Sequence, residues 1–86
     1  MMRIWVKVMK GDKILKDTIY QNYGEVTFDT FFTHLSAICH ELDIPTPVLL
    51  KTHVQNFNEF HNMRFLPRDF VESIDFDKLV LEDALM

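Results

Sequence analysis

The sequence predicts an α+β domain in which a mixed sheet of four to five strands (ββαββ with a short second helix) packs on one amphipathic helix. Three observations carry this. An alternating run, Met2-Arg3-Ile4-Trp5-Val6-Lys7-Val8-Met9-Lys10, meets a Gly11-Asp12 turn and doubles back through residues 14–20. Apolar residues then recur at helical spacing from Phe28 to Leu42, and the chain closes on a further strand-like stretch at 76–83.

Strand side chains alternate between faces, so Ile4, Val6 and Val8 share one side of the first strand and Arg3, Trp5, Lys7 and Met9 the other. The β-branched set is assigned to the core. The returning strand has no clean parity: Leu15 and Ile19 flank Asp17 on one face, while Ile14, Thr18 and Tyr20 share the other. A bulge or a longer turn after Gly11 would resolve it.

In the helix, Phe28, Phe31, Phe32, Leu35, Ile38, Cys39 and Leu42 follow the i, i+3, i+4, i+7 pattern of a buried stripe. Thr27 is placed to cap its first turn, with Val26 stapled onto Phe31. The helix should stop at Asp43, because Ile44 precedes Pro45 and is pushed out of helical geometry. Thr52-His53-Val54-Gln55 reads as a capping box for a short helix ending near Asn62, with Val54 and Phe57 as its anchors. Residues 63–66 read as a brief strand ended by Pro67, residues 69–72 as a turn of helix, and Leu79 and Leu81 as the inward side of the last strand.

The 86 residues, without repeat, linker or low-complexity tract, are read as one domain spanning 1–86. A chain of this length buries only about 60–65% of its unfolded surface, so nearly every large apolar residue is needed inside. Eight Phe and a hydrophobic content of 48% supply that core, and two Gly and three Pro leave little room for disorder. One cysteine excludes an internal disulfide. No apolar run is long enough to span a bilayer, and Arg3, Lys7 and Lys10 interrupt any secretory-type N-terminus, so a cytoplasmic location is expected.

The order strand, strand, helix, strand, strand resembles that of ubiquitin-like β-grasp proteins. The segment Met2-Arg3-Ile4-Trp5-Val6-Lys7 followed by Gly11 is similar to the first strand and turn of that family, and Ile44-Pro45 and Leu79-Val80-Leu81 fall in corresponding places. The resemblance implies a β-grasp-like sheet with the first and last strands side by side. Conjugation chemistry is not implied, because that needs a tail ending in a Gly pair and the sequence ends Glu82-Asp83-Ala84-Leu85-Met86. The run Arg64-Phe65, Asp69-Phe70, Ser73-Ile74-Asp75-Phe76-Asp77 and Leu79 is also similar to a set of short bacterial proteins with no established activity.

The side chains that could carry chemistry are each matched by a plainer role. Cys39 and His40 are neighbours on a helix and so point about 100° apart, and Cys39 lies on the apolar stripe as a small hydrophobe. His34, His40, His53 and His61 lack metal-ligand spacing and are expected at the surface. Asp75 and Asp77, with Asp69 and Glu72, have neither the Gly nor the oxygen spacing of a calcium loop and are assigned to a solvated strand start. Gly11 and Gly24 stand alone, so there is no phosphate loop. No cofactor, metal or catalytic residue is assigned, and the chain is not expected to be an enzyme.

Charge is uneven within a net −4: Lys7, Lys10, Lys13 and Lys16 load the first hairpin, and Asp69, Glu72, Asp75, Asp77, Glu82 and Asp83 the C-terminal part. A nucleic-acid or phosphate-binding hairpin is one reading, against which the overall acidity works. Cross-strand pairing of the first and last strands is the other. The leading expectation is a protein-interaction module, for a partner or for self-association, using the open sheet face with Trp5 at its centre and Lys7, Met9 and Val80 around it. The opposing reading covers Trp5 with Ala84-Leu85-Met86.

Overall fold

The structure, a computed structural model, describes residues 2–23 and 27–84. It runs β1 (Met2–Lys10), β2 (Lys13–Asn22), α1 (Phe28–Leu42), α2 (Lys51–Phe60), β3 (Asn62–Phe65) and β4 (Lys78–Asp83), with one 3-10 turn at Pro67–Asp69. The described architecture is α+β: four strands in the order β2-β1-β4-β3, with two helices on one face.

The first hairpin forms as its alternation dictates. Met2, Ile4, Val6 and Val8 are buried on one side of β1, and Gly11 supplies the positive φ of 60° that its turn requires. The parity of β2 is resolved by a bulge. Val8 lies opposite Lys16 and Met9 opposite Ile14, which leaves Leu15 as the extra residue. Thr18 and Tyr20 therefore share the core side with Val6 and Ile4, and Ile19 stands opposite Trp5 on the other face.

All three strand pairings are antiparallel, so the mixed sheet expected from the sequence does not form. The first and last strands do lie side by side, but they run in opposite directions. The cause is the number of chain reversals after α1. His61, in the left-handed region with φ 62°, turns the chain straight from α2 into β3, and residues 66–77 reverse it once more before β4. No fifth strand forms among the described residues.

Helix α1 occupies the residues its periodicity predicts. The Thr27 hydroxyl accepts from the Thr30 N–H at 3.2 Å, and the Thr30 hydroxyl accepts from the Thr27 N–H at 2.9 Å. Val26 lies outside the described residues, and with it the staple onto Phe31. At the other end Asp43 adopts φ 56°, and the N–H groups of Asp43 and Ile44 close on the carbonyls of His40 and Cys39.

The buried stripe of α1 is Phe31, His34, Leu35, Ile38, Cys39 and Leu42, which corrects the expectation for two residues. Phe32 is 50% exposed and Phe28 37% exposed. The helix carries more apolar residues than one face of the sheet can cover. It is turned so that the flank bearing His34 and Glu41 meets β2, where Tyr20 and Thr18 supply hydrogen-bond partners, and the flank bearing Phe28 and Phe32 is left outside.

Helix α2 starts one residue before the expected capping box. Leu50 is its N-cap, and the Nδ1 of His53 accepts the Leu50 N–H at 2.9 Å, so the third residue of the helix caps it in place of Thr52. Val54 and Phe57 are buried as expected, with Phe57 edge-on to Phe31 at 5.4 Å. The helical turn expected at 69–72 falls instead at Pro67–Asp69, because proline favours the first position of a helical turn and Phe70 is already extended. Phe70 and Phe76 meet edge to face at 5.5 Å and close the core beneath that segment.

Candidate functional site

Residues directly opposite each other in an antiparallel pair point to the same side, so the register assigns the uncovered face. Trp5 stands between Ile19 and Glu82, Lys7 between Asp17 and Val80, and Met9 between Ile14 and Lys78. Trp5, Lys7, Met9 and Val80 thus share one face, as the alternation predicts. Every buried strand residue belongs to the single core on the other side, where both helices pack.

Trp5 is half-buried by its neighbours on that face. Its indole N–H donates to Asp17 Oδ2 at 3.1 Å, and Lys7 Nζ lies 4.2 Å from the ring centroid. The same Nζ donates to Glu82 Oε1 at 2.8 Å, and the Lys7 side chain is only 14% exposed. An indole with its N–H bonded and a cation over its ring is a pre-ordered aromatic surface. Ile14 and Ile19 extend it toward the outer edge and are each 46% exposed. Asp17 and Ile19 were missed as neighbours of Trp5, because the bulge at Leu15 hid the pairing of β2, and Glu82 was read as a cross-strand charge without its specific partner.

The four hairpin lysines do not form one patch. Lys7 is held by Glu82 and Trp5, which is the cross-strand pairing expected of the first and last strands. Lys16 points to the core side and donates to the Leu42 carbonyl at 2.9 Å, at the negative end of α1. Lys10 and Lys13 remain exposed, facing each other across the turn.

The chemical candidates are occupied structurally. Cys39 is fully buried, and burial pushes its thiol up to about 11, so the nucleophilic thiolate is suppressed. His40 is exposed on another side of the helix. His34 is not a surface histidine: it is 7% exposed, its Nδ1 is 2.8 Å from the Tyr20 hydroxyl, and its Nε2 is buried without a hydrogen bond. His53 is also largely covered, its ring 4.5 Å from that of Phe65, and burial lowers its pKa while Asp69 opposes that shift. Sequence periodicity had no means of finding these partners, since Tyr20 and Phe65 come from strands.

The acidic residues serve the backbone. Asp77 accepts the Gly11 N–H and donates its own N–H to the Met9 carbonyl, tying the first turn to the start of β4. Asp69 Oδ2 accepts the Leu66 N–H at 2.8 Å. Among the described residues no group of three or more His, Cys, Asp or Glu is placed to hold a metal ion. No described helix is long and apolar enough to cross a membrane.

Two grooves are present besides the Trp5 cluster. One, of about 500 Å³, runs between the β2 bulge and residues 73–76, with Val8, Leu15, Ile44 and Phe76 among its walls. The other, of about 450 Å³, lies between α2, β3 and the 3-10 turn and is lined by polar side chains together with Leu50 and Leu66. Comparison with protein-family models, curated proteins and solved structures finds no match to this chain.

Proposed function

We propose that this domain is a protein-interaction module that uses its open sheet face, centred on Trp5, to bind a protein partner or a second copy of itself. The observation that carries the reading is the ordered Trp5–Lys7–Glu82 cluster with Ile14 and Ile19 left exposed beside it on a face no described helix covers. Leu85 and Met86, expected in the opposing reading to cover Trp5, lie outside the described residues. Aromatic and aliphatic side chains ringed by charges are the composition of interface hot spots. A cysteine count of one, with no internal disulfide possible, supports a reducing, cytoplasmic setting. The shared order of hairpin, helix and returning strands supports a relation to β-grasp proteins, with the antiparallel β1–β4 pair as the departure.

The test compares wild type with Trp5→Lys by light scattering and by retention of proteins from a native lysate. The expected result is a folded variant that has lost a dimer or a retained protein. Equal mass and identical retained proteins for the two chains would overturn the proposal.

A further inference from the structure

We infer that the groove between α2, β3 and the 3-10 turn binds the oxyanion group, phosphate or carboxylate, of a small ligand. Thr52, His53 and Asn56 line it from α2, Arg64 from the edge strand β3, and Arg68 and Asp69 from the turn. Its volume of about 450 Å³ lies within the range of small-molecule sites, roughly 300–1,000 Å³.

The lining is rich in exposed donors that are not committed to other parts of the chain. Among the described residues, Arg64 and Arg68 make no ion pair or hydrogen bond, although the chain as a whole carries a net charge of −4. Thr52 and Asn56 are likewise exposed at the groove. Asp69 is the one carboxylate of the lining, and its Oδ2 already accepts the Leu66 N–H. The lining thus holds two arginines and one carboxylate, which gives it a net positive charge; Arg64, opposite Val80, reaches it from the open side of the edge strand.

His53 adds a donor of fixed identity. Its Nδ1 accepts the Leu50 N–H, so in the neutral ring the proton sits on Nε2. That Nε2 is 3.9 Å from Asp69 Oδ2, beyond hydrogen-bond reach. The ring contact with Phe65 holds the imidazole in this orientation. A ligand matching this lining must bring acceptors and negative charge. A cation would meet two arginines. Planar guanidinium pairs recognise phosphate and carboxylate through paired N–H donors.

The experiment is a titration of the isotope-labelled full chain with inorganic phosphate, and separately with acetate, at constant ionic strength, followed by NMR. The expected result is a saturable shift over the millimolar range at Thr52, His53, Asn56 and the arginine side chains. Arg64→Gln and Arg68→Gln should each weaken it about tenfold, the size expected for one hydrogen bond to a charged group. Lys10→Gln, which changes a lysine outside the lining, should leave it unchanged. Preference for phosphate or for acetate identifies the oxyanion. Shifts that fail to saturate, or that persist in both arginine variants, would overturn the inference.

Discussion

Lys7 and Glu82 are joined at 2.8 Å although 75 residues separate them in the chain. They are diagonal neighbours across the central strand pair, and Lys7 lies over Trp5 at the same time. One ammonium thus fixes the indole and connects β1 to β4. A double-mutant cycle of Lys7→Met and Glu82→Gln should give a coupling of about 0.5–1 kcal/mol, since Glu82 stays partly in water. Repeating the denaturation at high salt should reduce that coupling.

The two neighbouring phenylalanines of α1 should behave very differently. Phe31 is fully buried and Phe32 half-exposed. Phe31→Ala should cost about 3–5 kcal/mol and threaten folding, and Ile38→Ala about 2–5 kcal/mol. Phe32→Ala should cost less than about 1 kcal/mol. Urea midpoints for the three variants decide the helix rotation, and a large loss for Phe32→Ala would contradict it.

Thr27 and Thr30 exchange hydrogen bonds at the start of α1. Removing the cap in Thr27→Ala should lower stability by about 1 kcal/mol. Thr27→Asp, which keeps an acceptor and adds charge at the positive end of the helix, should restore it. Thermal melts of the pair read both effects.

Cys39 should be silent toward iodoacetamide in the folded chain. With its thiol held at about 11 and its sulfur buried, the thiolate is scarce and inaccessible at pH 8. Alkylation followed by mass spectrometry should report unfolding alone, with rates that rise in denaturant. Rapid labelling without denaturant would refute the burial.

Burial holds the pKa of His53 below its ordinary 6.5, so at acid pH the unfolded chain takes up this proton before the folded one does. Stability should therefore rise with pH across the interval between the lowered value and 6.5, and the contribution should be lost as pH falls through it. His53→Gln keeps an acceptor for the Leu50 N–H but does not titrate, and should flatten that part of the pH profile. An unaltered profile would show that the dependence arises elsewhere.

What the sequence revealed was what local pattern encodes. The period-two run of β1 and the span of α1 emerge at their observed residues, because side-chain alternation and helical spacing act within a few neighbours. Trp5, Lys7, Met9 and Val80 fell on one face for the same reason. Strand direction was not legible, since it depends on how many times the chain reverses between Leu50 and Lys78. Nor was the rotation of α1, which is settled by the bond between His34 and Tyr20 across the interior. The polar groove was hidden for a similar cause: Arg64 and His53 are brought together by the left-handed turn at His61.

The placement of β4 between β1 and β3 has a kinetic consequence. The strand formed from residues 78–83 occupies the middle of the sheet, and among the described residues β3 has no other partner strand. The central pairings span most of the chain, a topology that slows folding because distant segments must meet before any sheet beyond the first hairpin exists. During synthesis the hairpin can gather α1 over Ile4, Val6 and Val8, but the free edge of β1 stays unpaired until residues 78–83 have emerged. The interval before that strand arrives is when this chain is most open to misassociation.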